Sequence, residues 1–151
     1  MIAAGCLRRG GAALAATLVL ALLLAGCGGR PHGALSVTEL HDLGQERYQS
    51  RTTLTGEVIP GTLLRPPPGS RIDLVPIGPE SAVVQLIDEK NRVQPVLFGI
   101  LDEPEYAALA LLAEITVTGK VHPTGMYFAD GVYIEDELVP VQIATIPGIP
   151  A

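Results

Sequence analysis

Apolar and polar positions alternate along much of the chain. In residues 51–59 (RTTLTGEVI), Leu54, Gly56 and Val58 point one way and Thr53, Thr55 and Glu57 the other. A period of two predicts a strand with one buried face. Residues 114–121 (EITVTGKV) repeat the pattern, with Ile115, Val117, Gly119 and Val121 on the apolar side. Two further strands are predicted at 82–88 and 92–100, joined by the polar turn Asp88-Glu89-Lys90-Asn91. Pro95 inside the second of these calls for an edge position or a bulge. After the turn His122-Pro123-Thr124-Gly125, a last strand covers 126–134 and is kinked at Asp130-Gly131.

Helical spacing occurs twice. Ser36 and Glu39 form a capping box, Leu35 and Leu40 sit as a hydrophobic staple, and Val37, Leu40, Gly44 and Tyr48 share one face of a helix over 37–49. Gly44 weakens that helix by about 1 kcal/mol relative to Ala. Asp102, Pro104 and Glu105 open a second helix, in which Tyr106, Leu109, Leu112 and Ala113 form the apolar stripe. Residues 60–80 hold six of the 13 prolines, including Pro66-Pro67-Pro68 in extended polyproline form, and 71–75 read as a short edge strand. Glu135-Asp136-Glu137 is a charged stop, and 138–151 a Pro-rich, loosely docked tail with a short strand at 141–145.

The mean hydropathy is +0.37, high for a chain with net charge −6. The N-terminus accounts for much of it. Arg8 and Arg9 precede an uncharged apolar run from Ala12 to Leu24. That run is shorter than the roughly 20 residues a membrane-spanning helix needs, and it has the layout of an export signal. Leu24-Ala25-Gly26-Cys27 follows directly and resembles the bacterial lipoprotein lipobox. The resemblance implies a signal peptide over 1–26, cleavage before Cys27, and acylation of its thiol and new amino terminus. The membrane anchor would then be lipid on Cys27. Gly28, where the same family carries Asp for inner-membrane retention, leans towards the periplasmic face of the outer membrane.

Removing 1–26 changes the charge and the chemistry. The remaining 125 residues carry 8 basic and 16 acidic side chains, a formal charge of −8. Cys6 leaves with the leader and Cys27 goes to lipid, so no disulfide is available. Residues 27–35 read as a lipidated flexible tether, and 36–137 as the folded domain.

From residue 51 the order is strand, strand, strand, helix, strand, strand. It resembles the OB-fold, a five-stranded Greek-key barrel with a helix between strands three and four. Thr55-Gly56-Glu57-Val58 and Thr118-Gly119-Lys120-Val121 place a glycine in the first and fourth strands, where a small barrel must coil sharply. The expected fold is therefore mainly β, a small OB-like barrel preceded by an N-terminal helix, with an SH3-like barrel or a small α+β domain whose first helix packs on an open sheet as rival folds. Some small envelope lipoproteins share this architecture, as does the periplasmic haem chaperone of cytochrome c maturation. The chaperone attaches haem through a histidine near the barrel's C-terminal end, and this chain has none after His122.

OB barrels bind extended ligands across strands two and three, between the one–two and four–five loops. The resemblance places Arg71, Arg92, Gln94, His122, Tyr127 and Tyr133 there as candidate ligand contacts. Nucleic acid fits poorly with an acidic chain that is 4% aromatic, because phosphate binding needs Lys and Arg. The three histidines have no metal-site spacing, and no catalytic motif is present, so no metal, cofactor or catalytic residue is expected. The reading is a non-enzymatic, lipid-anchored envelope module that binds a protein or a small polar ligand. Two alternatives stand beside it: a metal-dependent accessory factor or enzyme centred on His122 and the acidic C-terminal strand, and a passive structural lipoprotein.

Overall fold

A computed structural model describes residues 30–143 apart from 68, 73 and 74, with backbone alone at 72, 75 and 76. The leader, the lipobox, Cys27 and the expected strand over 141–145 beyond Ile143 lie outside the described residues. Pro31–Gly33 is a short 3-10 turn belonging to the N-terminal unit, and everything below concerns the unit from Ala34 onward.

Helix α1 (Val37–Asp42) begins as its capping box demands. The Glu39 N–H donates to Ser36 Oγ (3.2 Å) and the Ser36 N–H to Glu39 Oε2 (2.9 Å). It is seven residues shorter at its C-terminal end than the spacing predicts. Gly44 takes φ +60°, a left-handed turn that ends the α-helix, and a 3-10 segment Gly44–Tyr48 follows. Residue 35 is also not tether. Its N–H donates to the Thr53 carbonyl (2.8 Å) and its carbonyl accepts from Thr55 (2.9 Å).

Strands β1 (Thr52–Val58), β4 (Ala82–Ile87), β5 (Val93–Phe98), β6 (Glu114–Val121) and β7 (Tyr127–Ile134) form a ring, and β8 (Glu137–Pro140) extends the sheet beyond β7. Neighbours β1–β4, β4–β5, β1–β6 and β6–β7 are antiparallel, and β5 closes the ring against β7 in parallel. Pro95 stands one residue before that parallel pairing starts at Val96, so its missing N–H falls outside the closing ladder. The expected edge strand at 71–75 is instead a separate ribbon, β2 (Arg71–Ile72) paired with β3 (Val75–Pro76).

The C-terminal expectation also changes. Glu135 and Asp136 both adopt positive φ (51° and 63°) in a two-residue turn that pairs Ile134 with Glu137. The charged stop is therefore a hairpin, and 138–140 are strand where a tail was expected. The kink at Asp130-Gly131 is a bulge. Opposite Thr118 and Gly119 stand Gly131 and Ala129, which leaves Asp130 as the extra residue.

The period-two faces meet inside the ring. Leu54, Val84, Leu86, Val96, Phe98, Ile115, Val117, Tyr127 and Val132 are almost completely buried in one core. Helix α1 adds Val37 and Leu40. It lies by the end of β4 and the start of β5, held by Thr38 N–H to Asp88 Oδ2 (2.6 Å) and His41 Nε2 to Gln94 Oε1 (3.0 Å). Helix α2 (Glu103–Ala110) follows β5 and adds Leu109 at the other end. Its cap includes the Asp102 N–H donating to Glu105 Oε2 at 3.0 Å.

Candidate functional site

The six predicted ligand contacts divide. Gln94 is 3% exposed. Its Nε2 donates to the carbonyls of Pro95 (2.9 Å) and Gly125 (2.7 Å), while its Oε1 meets His41. It ties β5, the β6–β7 turn and α1 together and has no polar atom left for a ligand. Tyr127 is fully buried. Its hydroxyl donates to the Thr52 carbonyl (2.7 Å), and burial pushes the phenol's pKa well above its ordinary value. Both residues hold the barrel together.

The other four keep some exposure. Arg92 is exposed in the β4–β5 turn, Arg71 is exposed at the start of β2, and Tyr133 is half-buried on β7 opposite Leu138. His122 Nδ1 lies 3.3 Å from the Thr124 backbone nitrogen and 3.0 Å from Thr124 Oγ1. Its ring stacks on Phe128 with centroids 4.9 Å apart. Across β4, β5 and β7, a second small cluster of Ile77, Leu97 and Met126, with Val83 and Phe128, fills the space between the 60–80 segment and the β6–β7 turn. Where the resemblance expects an open face, the chain's own Ile77 is packed.

A groove lies elsewhere. Between the end of β1, residues 60–63, α2 and the start of β6 is a groove of about 820 Å³, lined by Val58, Pro60, Leu63, Leu109, Leu112, Ala113 and the two glutamates Glu57 and Glu114. Its loop wall is braced. The Tyr106 hydroxyl donates to the Leu63 carbonyl (3.2 Å). Arg65 lies over the Tyr106 ring (4.5 Å), pairs with Glu103 (3.2 Å) and donates to the carbonyls of Glu80 and Leu101. Thr62 Oγ1 donates to the Ile59 carbonyl (2.7 Å). A site whose walls are fixed before binding loses less freedom on binding.

Leu111, between the lining residues Ala110 and Leu112, is 88% exposed, and Ala107, Ala110 and Ala113 are exposed too. Residues 106–113 (YAALALLA) contain no charged side chain, so α2 has no polar face after its first turn. That was the available sequence signal. An apolar helix belongs in a core, and here only Leu109 of α2 is buried.

Two carboxylates elsewhere are built into the frame. Asp130 accepts from Arg51 Nε (2.8 Å) and Nη2 (2.9 Å) and from the Thr118 hydroxyl (2.6 Å). The Arg51 hydrogen bond is the main cause holding its pKa below the usual carboxylate range. For Asp88, burial raises the pKa. Donors from Thr38, Arg92 and Lys90 together more than offset that and lower it. Among the described residues no three His, Cys, Asp or Glu side chains are grouped to hold a metal ion, and no helix is long and apolar enough to cross a membrane. Compared with known proteins, the chain matches no protein-family model and no curated sequence.

Proposed function

We propose that this chain is a lipid-anchored, non-enzymatic module of the bacterial cell envelope, built on an OB-type barrel, that binds a protein partner through the groove beside α2. The observation that carries the binding reading is the braced apolar groove, together with the exposed Leu111 on the chain segment that lines it. An exposed apolar surface next to a preformed cleft favours association, since burying it in a partner releases water from apolar area.

The barrel reading is supported by the five-strand ring, its parallel closure between β5 and β7, and the helix between β5 and β6. The anchor reading rests on the lipobox at Leu24-Ala25-Gly26-Cys27. Of the first-named contacts, Arg71, Arg92, His122 and Tyr133 remain a secondary polar surface, while Gln94 and Tyr127 belong to the frame.

Affinity capture from detergent-solubilised membranes tests the proposal. The wild-type chain should retain a reproducible partner that Leu111→Asp releases. Retention unchanged by Leu111→Asp removes the groove, and no partner at all favours a passive structural lipoprotein. Cys27→Ser tests the anchor separately. The processed chain should then leave the membrane fraction, and continued partition into detergent would overturn lipidation.

A further inference from the structure

The groove has a charge pattern as well as an apolar lining. In the β1–β6 ladder, Glu57 and Glu114 stand directly opposite each other, and both are exposed. Directly opposed like charges disfavour a strand pair. Neither carboxylate has a Lys or Arg partner among the described residues. The contact seen at either is the Thr55 hydroxyl, 3.3 Å from Glu114 Oε1. Two residues earlier on β1 the same face is neutral and self-satisfied, with Thr55 Oγ1 and Thr116 Oγ1 3.0 Å apart. In this ladder the directly opposed like charges therefore stand at the groove's edge.

We propose that the groove takes a cationic amphipathic segment of a partner protein, with a Lys or Arg seated between Glu57 and Glu114 and neighbouring apolar side chains against Leu63, Leu109 and Leu112. The inference rests on the groove reading above and adds the chemistry of the occupant. Charge decides among the candidates. A second copy of this acidic chain brings negative charge to a negative edge. Residues 144–151 contain no Lys or Arg. An anionic lipid surface presents phosphates to the same carboxylates. A basic segment removes the opposition between Glu57 and Glu114 while its apolar side chains cover Leu63 and Leu112.

The test measures binding of short labelled peptides to the full chain in mild detergent, with protein-free detergent as the blank. The peptides alternate Leu with Lys, Leu with Glu, and Leu with Ser. The Leu/Lys peptide should bind best, with an affinity that weakens as salt is raised. Glu57→Gln/Glu114→Gln should weaken it by about tenfold or more and flatten the salt dependence. The same double variant should unfold at higher denaturant than wild type, because removing the opposed charges relieves repulsion. A residue needed only for folding would not raise stability while lowering binding. Chemical-shift changes should map to Leu63, Leu109 and Leu112. Equal binding of the Leu/Lys peptide to wild type and double variant overturns the inference. Stronger binding of Leu/Ser at the same groove leaves a binding groove and overturns its charge preference. No binding of any peptide overturns both readings.

Discussion

The repeated Thr-Gly pair invites a comparison in which one motif has two different costs. At Gly119 an added Cβ would lie 2.0 Å from the Phe128 carbonyl oxygen, 2.9 Å from its carbonyl carbon and 3.0 Å from Ala129 Cα. All three are backbone atoms of the neighbouring strand, so no side-chain rotation relieves the overlap. Restoring an ordinary carbon–oxygen contact of about 3.3 Å requires β6 and β7 to separate locally by about 1.3 Å. Ladder hydrogen bonds do not survive that displacement. Losing two costs about 2 kcal/mol, and leaving their buried groups unpaired adds about 2 kcal/mol more. Gly119→Ala should therefore destabilise by about 4 kcal/mol or more.

At Gly56 the nearest atoms to an added Cβ are Leu86 Cβ at 3.0 Å and the Ile87 carbonyl oxygen at 3.2 Å. A shift of a few tenths of an ångström accommodates it, at about 1–2 kcal/mol for overpacking. Since domains of this size have about 5–15 kcal/mol in total, Gly119→Ala should approach the unfolding threshold while Gly56→Ala stays folded. Denaturant unfolding followed by far-UV circular dichroism measures both. A Gly119→Ala protein within about 1 kcal/mol of wild type, or more stable than Gly56→Ala, would refute the argument that strand approach at the bulge requires glycine.

Three further outcomes follow from the frame. Asp88→Ala leaves the Thr38 N–H at the start of α1 without its acceptor, and should cost about 2 kcal/mol in denaturant unfolding, more than the roughly 1 kcal/mol for Ser36→Ala; a smaller cost than Ser36→Ala would show that the carboxylate does not hold α1. Asp130 has a lowered folded pKa, so its contribution is present above its unfolded value near 4 and disappears as pH falls through the folded value. The stability gap between wild type and Asp130→Asn should narrow from pH 7 to pH 3, and it should stay under about 1 kcal/mol because Arg51 is largely exposed; a gap independent of pH would contradict the linkage. Replacing Glu135-Asp136 with Asn-Gly matches the left-handed turn and should stabilise by about 1 kcal/mol in thermal unfolding, whereas a loss would mean that these side chains contribute more than their backbone strain costs.

Much of the local structure was legible in the sequence because its causes are local. Ser36 and Glu39 are three residues apart, as are Asp102 and Glu105, so their helix starts could be read without knowing the fold. Period-two alternation marked β1 and β6, apolar runs between turn residues marked β4 and β7, and the glycines at 56 and 119 do stand at close approaches between strands. The end of α1 is not legible in the sequence because Gly44 carries only a modest intrinsic penalty in a helix; the left-handed backbone adopted there ends it.

The binding surface depended on contacts between distant positions. Gln94 and Tyr127 stand among the candidate ligand contacts of a linear reading, with barrel core as the alternative for Tyr127, but Gly125, 31 residues from Gln94, and Thr52, 75 from Tyr127, satisfy them inside. Asp88 reads as a solvated turn, yet it caps a helix 50 residues upstream. The groove joins residues 57–63 to 109–114, and Glu57 faces Glu114 through strand pairing alone. Caps and periodicity depend on neighbours within a turn or two of the chain. Ring closure, burial of polar side chains and the meeting of two glutamates are set by which distant strands pair and in what register. Those properties belong to the tertiary structure.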